Sequence, residues 1–165
     1  MKAIGEDLMP REHRELTISS NVNFLFETTR TVAELTFKGT FEKCRNLTFV
    51  LPHSGGAVPF VWPRWDIGYL ARSAPHPLRR LPEPPSHYLK RHYYDTALAY
   101  YPSMLRCTSE LAPNHIVFGT DTPYTSRDFR VKQTIEKLNA YGFSAEERER
   151  IFSGNAERLF PKIKK

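Results

Sequence analysis

The chain has 165 residues, of which 40% are hydrophobic and 13% aromatic, and a formal charge of +6 at pH 7. This apolar content is enough for a packed core and excludes a wholly disordered chain. No apolar run approaches the roughly 20 residues of a membrane span, and two cysteines cannot form a disulfide framework. A complete (β/α)8 barrel needs at least about 200 residues, so the chain is too short to be a whole one.

Both ends of the chain lack the periodicity of regular elements. Residues 1–21 are polar and weakly patterned, and we expect them to be poorly ordered. Residues 162–165 are lysine-rich and are expected to form a basic tail. The first residues have no apolar stretch typical of a secretory signal, which predicts a cytoplasmic protein. Residues 22–161 are predicted to form one domain.

Within this domain, segments with helical spacing of apolar residues alternate with short apolar runs. The pattern predicts, in chain order, a helix over 24–43 weakened at Gly39, a strand over 47–51, a helix over 57–70, a proline-rich surface loop over 71–87, a strand over 93–98, a helix over 102–111, a strand over 115–121, and helices over 128–138, 144–152 and 155–160. Strands that alternate with helices favour parallel βα units. The sequence therefore predicts an α/β fold with about three such units, either half a barrel or a small open sheet.

Three polar side chains lie where the predicted strands end, namely His53, Asp95 and Asp121. Parallel α/β folds place their sites at this edge of the sheet, where an imidazole and a carboxylate can share a divalent metal or a water. The alternative for Asp121 is a helix cap, with His53 packed beside it. The alternative for Asp95 is a buried carboxylate held by hydrogen bonds.

Five motifs occur in order along the chain: FETTR at 26–30, LPHSGGAVPF at 51–60, YYDTAL at 93–98, VFGTDTP at 117–123 and NAERLF at 155–160. Together they resemble the C-terminal half of the amidohydrolase-related decarboxylases, the aminocarboxymuconate-semialdehyde decarboxylase-like enzymes that include 6-methylsalicylate decarboxylases. The similarity runs from about residue 22 to 161. The resemblance implies a partial TIM barrel, with about three C-terminal βα units and parallel strands.

The resemblance also implies a function. It implies a metal-dependent nonoxidative decarboxylase, a carbon–carbon lyase, that acts on an aromatic or unsaturated carboxylic acid such as a 6-methylsalicylate-like substrate. Zinc is the implied metal, with Asp121 as a ligand and a catalytic group. His53 is implied as an acid/base or polarising group. Arg64 is implied to bind the substrate carboxylate, in some relatives across the interface of a dimer, so a homodimer is expected.

An alternative hypothesis is that the chain is a truncated, catalytically inactive family member, or an interaction partner of a full-length homologue. It follows from the absence of an H-x-H motif, which supplies two metal ligands in the family. We expect no nucleic acid partner, because the basic pairs of the chain lack an interleaved aromatic platform. We expect no membrane partner, because no apolar run is long enough to span a bilayer.

Several other side chains are assigned structural roles. His76, His87 and His92 are predicted to lie on the surface, and Trp62 and Trp65 in the core or an interface. Glu27 and Arg30 are expected to pair across one helical turn.

Overall fold

A computed structural model of the chain describes residues 19–71, 81–124 and 127–161. Three short strands, β1 (Val50–Leu51), β2 (Tyr93–Asp95) and β3 (Ile116–Val117), form one parallel sheet in the order β1-β2-β3. Because neighbouring strands are parallel, their carboxyl ends lie at the same edge of the sheet. This confirms the predicted α/β class with parallel βα units.

Helices precede, connect and follow the strands. They are, in chain order, α1 (Phe24–Phe37), α2 (Thr40–Lys43), α3 (Val58–Leu70), α4 (Pro85–Leu89), α5 (Pro102–Leu111), α6 (Arg127–Ala140), α7 (Ala145–Glu149) and α8 (Asn155–Leu159). A 3-10 turn, Pro52–Gly55, leaves β1, and wider π-type turns cover Ser19–Asn23 and Arg150–Gly154. None of the helices in the described ranges is both long and apolar enough to cross a bilayer.

The predicted helix over 24–43 is broken where its glycine lies. Gly39 has a φ of 72°, a left-handed conformation that ends α1 and begins α2. The helix predicted from residue 144 starts with a capping box at α7, since the Ser144 hydroxyl accepts from the Glu147 N–H at 3.2 Å and the Glu147 carboxylate accepts from the Ser144 N–H at 2.8 Å.

The prediction of a loop over 71–87 is partly wrong. Residues 72–80 lie outside the described part, but α4 occupies Pro85–Leu89. Pro85 stands in the first turn, where no backbone donor is needed, and the Asp66 carboxylate of α3 accepts from the Ser86 N–H at 2.9 Å. The helix therefore starts with a cap supplied by a residue far away in the sequence.

Two clusters of buried side chains lie around the sheet. The larger includes Val32, Phe41, Leu51, Val58, Tyr88, Leu89, Tyr94 and Leu111, and the smaller comprises Leu105, Ile116, Leu138, Phe143 and Ile151. Trp62 and Trp65 are partly buried and pack against the larger cluster, in agreement with the predicted position in the core or an interface.

His92 is buried, so its predicted surface position is wrong. It immediately precedes β2, its ring lies 4.2 Å from that of Phe41, and its Nδ1 accepts from the Phe49 N–H at 3.4 Å. Burial lowers the pKa of His92 to about 4, so the ring is neutral at pH 7. His87 is exposed as predicted, and His76 lies outside the described residues.

The free edge of β3 is covered by the end of the domain. The Asn155 side-chain amide donates to the Ile116 carbonyl at 2.8 Å, and the Phe118 N–H donates to the Ile151 carbonyl at 2.9 Å. These bonds satisfy strand groups that point away from β2 and fix the segment that leads to Asp121.

Candidate functional site

The turn after β1 has an unusual backbone, and we call residues 53–57 the His53 turn. His53, Ser54, Gly55 and Gly56 all have positive φ angles, of 52°, 57°, 73° and 66°. A left-handed conformation costs about 1–2 kcal/mol for a residue other than glycine. Such backbone persists where surrounding contacts enforce it, which is frequent at functional sites.

Gly56 shows why the second glycine of the motif is required. A Cβ at this position would lie 2.2 Å from the Leu25 carbonyl oxygen and 2.7 Å from Thr29 Oγ1. The backbone of the His53 turn therefore packs directly on α1, and only glycine allows this approach.

The Asp95 carboxylate lies between the His53 turn and the loop after β2. Its Oδ1 accepts from the Ala97 N–H at 3.1 Å and from the Ser54 N–H at 3.4 Å. Burial raises the pKa of Asp95, although these backbone donors and the nearby His53 act in the opposite direction. The geometry thus agrees with the alternative of a carboxylate held by hydrogen bonds, although Asp95 is partly rather than fully buried.

His53 is half-buried, and its ring orientation is set by a backbone group. Nδ1 lies 3.1 Å from the Ala97 carbonyl oxygen. Because a carbonyl can only accept, Nδ1 must donate, and in the neutral ring Nε2 then carries the free lone pair. This tautomer leaves Nε2 able to take up a proton or to bind a metal.

Asp121 stands at the exit of β3, also with a left-handed backbone, its φ being 62°. Its carbonyl accepts from the Tyr124 N–H at 3.2 Å, which closes a turn. The segment is anchored to β2 two residues earlier: the Thr96 hydroxyl donates to the Gly119 carbonyl at 2.9 Å and accepts from the Gly119 N–H at 3.0 Å.

The structure brings His53 and Asp95 together and places Asp121 on the same edge of the sheet. Strands in a sheet are spaced by about 4.8 Å, so β1 and β3 lie about 10 Å apart with β2 between them. Within the described ranges, no hydrogen bond joins His53 to Asp121. Arg64 is exposed on α3, and no described hydrogen bond or ion pair links it to these side chains.

The described residues do not make up a metal centre by themselves. Among them, no group of three or more His, Cys, Asp or Glu side chains is arranged to hold a metal ion. Zinc sites use three or four protein ligands. His53 and Asp121 offer one imidazole and one carboxylate, so the part of the chain that is described supplies a fraction of such a ligand set at most.

The expected pair of Glu27 and Arg30 is wrong. Arg30 binds Glu34 instead, with Nε 3.2 Å from Oε1, and Lys38 lies 2.8 Å from the other oxygen of Glu34. The spacing of four residues brings side chains onto one helical face better than that of three.

Sequence reasoning missed the polar groups that hold the His53 turn. Thr29, which accepts from the Ala57 N–H of this turn, lies inside the FETTR motif, so its position carried a signal. The same holds for Thr96 of the YYDTAL motif, which bonds Gly119 on the segment before Asp121. The contact of Ala97 with His53 involves only its backbone carbonyl, for which the residue type gives no signal.

Parallel βα units with polar side chains at the carboxyl ends of the strands define an α/β fold of either the barrel or the open-sheet type. The sequence model of the amidohydrolase family (Amidohydro_2) matches residues 17–162. The chain therefore belongs to the amidohydrolase family.

Individual relatives include decarboxylases and a hydratase. The chain is 30% identical over 139 residues to a 6-methylsalicylic acid decarboxylase of Penicillium expansum, covering 84% of this chain and 42% of the relative. It is 28% identical over 125 residues to a 2-keto-4-carboxy-3-hexenedioate hydratase of Sphingobium, covering 71% of this chain and 34% of the relative. The chain thus spans less than half the length of these curated relatives.

A solved structure shows the same fold. The 5-carboxyvanillate decarboxylase of Novosphingobium aromaticivorans, solved with bound manganese and 3-methoxy-4-hydroxy-5-nitrobenzoic acid, superimposes with a TM-score of 0.78 at 22% identity. The match covers 94% of this chain and 45% of that one. The described elements therefore correspond to a part of a TIM barrel, as predicted.

Proposed function

We propose that this chain supplies part of the site of a nonoxidative decarboxylase that acts on an aromatic carboxylic acid. The observation that carries the proposal is the geometry of His53, whose Nδ1 is tied to the Ala97 carbonyl at 3.1 Å. The likeness to the 6-methylsalicylic acid decarboxylase of Penicillium expansum supports this reaction class. A 6-methylsalicylate-like acid is accordingly the first substrate to test.

In this proposal His53 handles the proton. Nonoxidative decarboxylation breaks the bond between the ring carbon and the carboxylate, and carbon dioxide leaves as a proton is added to that carbon. The electron pair of the broken bond stays with the ring. Imidazole is the side-chain group best suited to carry this proton, because both its neutral and its protonated forms are accessible near neutral pH. Nε2 is the atom available for the transfer, since Nδ1 is occupied.

Asp121 and Arg64 take the roles that the family resemblance implies. Asp121 is one ligand of a divalent metal, and the other ligands of that metal come from outside the described residues. Arg64 orients the substrate carboxylate by a pair of hydrogen bonds. Its exposure on α3 is compatible with action across the interface of a homodimer. Manganese is present in the Novosphingobium decarboxylase, while zinc and a cytoplasmic location stay predictions for this chain.

The test is a decarboxylation assay with 6-methylsalicylate, following release of carbon dioxide with added manganese, added zinc, or chelator. We expect His53→Gln and Asp121→Asn each to lower kcat by about 10²–10⁴-fold, the range of a lost acid/base group or metal-site residue. His87→Gln is the matched control, because His87 is exposed and lies outside the site. Activity that survives both site substitutions would remove these residues from the mechanism.

A second candidate is a chain that does not turn over substrate alone and acts with a full-length homologue. The absence of a three-residue metal cluster among the described residues favours it. If wild-type protein releases no carbon dioxide with either metal, addition of a full-length homologue decides between the two. Activity that depends on His53 of this chain in the mixture would support a shared site, and a mixture indifferent to His53→Gln would support an inactive chain.

A further inference from the structure

Two threonines, one on α1 and one on α5, hold the His53 turn near its two ends. Thr29 lies on α1 and Thr108 on α5, and each hydroxyl donates to the carbonyl four residues earlier, of Leu25 at 2.7 Å and of Met104 at 2.8 Å. This bond uses the single hydroxyl proton. The lone pairs of each oxygen are then directed to donors outside the helix.

Thr108 accepts a hydrogen bond from the left-handed part of the His53 turn. Its Oγ1 lies 2.5 Å from Ser54 Oγ, and both side chains are almost fully buried, with exposed fractions of 1% and 2%. Because the proton of Thr108 is given to Met104, Ser54 must donate. Ser54 is the residue directly after His53, so this bond fixes the backbone next to the imidazole.

Thr29 accepts a hydrogen bond from the other end of the His53 turn. Its Oγ1 accepts from the Ala57 N–H at 2.8 Å, where α3 is about to begin. The close packing of Gly56 on the Leu25 carbonyl adds to this contact. The turn is thus tied to α5 near its start and to α1 near its end.

We propose that Thr29 and Thr108 are positioning residues, which hold the His53 turn so that Nδ1 of His53 donates to the Ala97 carbonyl. Left-handed residues relax to ordinary backbone when their restraints are removed, and a relaxed turn carries the imidazole away from Ala97. The inference rests on the proposed function in one respect, which is that the Nε2 lone pair of His53 takes part in decarboxylation. It adds the two side chains that keep this lone pair available.

The structure provides matched controls for both positions. Thr36 on α1 and Thr134 on α6 also donate to the carbonyl four residues earlier, each at 2.8 Å, and both are buried. Among the described residues, neither hydroxyl hydrogen-bonds to the His53 turn. Thr29→Val and Thr108→Val can therefore be compared with Thr36→Val and Thr134→Val, which lose the same helical bond and nothing at the turn.

The measurement is the tautomer of His53, read from the side-chain nitrogen shifts in long-range proton–nitrogen NMR spectra of the full chain. In wild type we expect the neutral ring to carry its proton on Nδ1. In Thr29→Val and Thr108→Val we expect the ratio of Nδ1–H to Nε2–H to fall about fivefold, the weight of one net hydrogen bond. Thr108→Ser, which keeps the hydroxyl, is expected to restore the ratio, and the two controls to leave it unchanged.

Two results would overturn the proposal: a wild-type ring protonated on Nε2, or an unchanged ratio in folded Thr29→Val and Thr108→Val. If either valine variant fails to fold, Ser54→Ala decides, because it removes the donor and leaves both helices intact. A lowered ratio there supports positioning, and an unchanged ratio contradicts it. The tautomer is measured without substrate or metal, so a failed decarboxylation assay leaves this result standing.

Discussion

A histidine at the amino end of the three-stranded sheet and one at its carboxyl end lie in opposite environments. At the amino end, His92 precedes β2 in ordinary backbone and is packed against the ring of Phe41, 4.2 Å away. At the carboxyl end, His53 follows β1 in left-handed backbone and is only half-buried. All the described non-glycine residues with positive φ, namely His53, Ser54, Leu98 and Asp121, follow the carboxyl end of a strand.

This difference separates a structural histidine from a candidate functional one. Burial keeps His92 neutral and leaves its Nε2 without a partner among the described groups, so its ring serves the core as a flat, largely apolar body. The backbone around His53 is strained, and hydrogen bonds from two helices enforce the strain. The strained backbone therefore distinguishes His53, and not His92, as the candidate functional histidine.

The largest expected effect comes from forcing a side chain into the strained end. Gly56→Ala places a Cβ 2.2 Å from the Leu25 carbonyl, so the His53 turn or α1 must move. We expect a loss of about 4 kcal/mol in the free energy of unfolding, from overpacking together with left-handed strain. Urea unfolding followed by circular dichroism measures it.

Gly142→Ala is the control for backbone strain alone. Its φ is 96°, and nothing lies within 4 Å of the added Cβ. We expect a loss of only about 1 kcal/mol, the cost of the positive φ. Equal losses in the two variants would show that the close approach of Gly56 to α1 contributes nothing.

The next effect concerns His92, at the amino end of the sheet, and it depends on pH. The pKa of His92 falls from its ordinary value of 6.5 to about 4 in the folded protein. The unfolded chain therefore binds a proton more readily, and the contribution of neutral His92 to stability is lost as the pH falls from about 6.5 towards 4. The shift corresponds to about 3 kcal/mol over this window.

His92→Gln tests this origin, because glutamine keeps a polar side chain but does not titrate. We expect the urea midpoint of the wild type to fall between pH 6.5 and 4 more steeply than that of the variant. The exposed His87 provides the control, and His87→Gln should keep the wild-type slope. Parallel slopes in wild type and His92→Gln would mean that His92 is not buried as a neutral ring.

The sequence was sufficient for the order of elements and for local signals, and insufficient for contacts between distant segments. The break at Gly39 and the capping box at Ser144 depend on neighbouring residues, so their patterns could be read directly. The cap on α4 comes from Asp66, 20 residues before Ser86, and no local pattern contains it. The prediction of a loop failed there for that reason.

The candidate site could likewise be predicted from the sequence only in part. Motifs pointed to His53, Asp121 and Arg64, and the fold places the first two at one edge of the sheet, while their roles stay proposals. The tautomer of His53 depends on the carbonyl of Ala97, 44 residues later, which is a backbone group common to every residue type. Such a contact is visible only once β1 and β2 are paired.

The smallest expected effect concerns the carboxyl end, and its sign is opposite to that of His92. Burial raises the pKa of Asp95 above its ordinary value of 3.8, so the folded protein binds this proton more tightly than the unfolded chain. Asp95→Asn keeps an oxygen that accepts from the N–H groups of Ser54 and Ala97, and it removes the charge.

The stability of wild type relative to Asp95→Asn should therefore rise as the pH falls through the raised pKa towards 3.8, whereas the contribution of His92 declines on acidification. Urea titrations of both proteins at several pH values measure this difference directly, since the His92 term is common to both and cancels. A difference that declines on acidification would mean that hydrogen bonds and His53 outweigh burial at Asp95. The folded protein would then stabilise the ionised form of Asp95 more than the unfolded chain does.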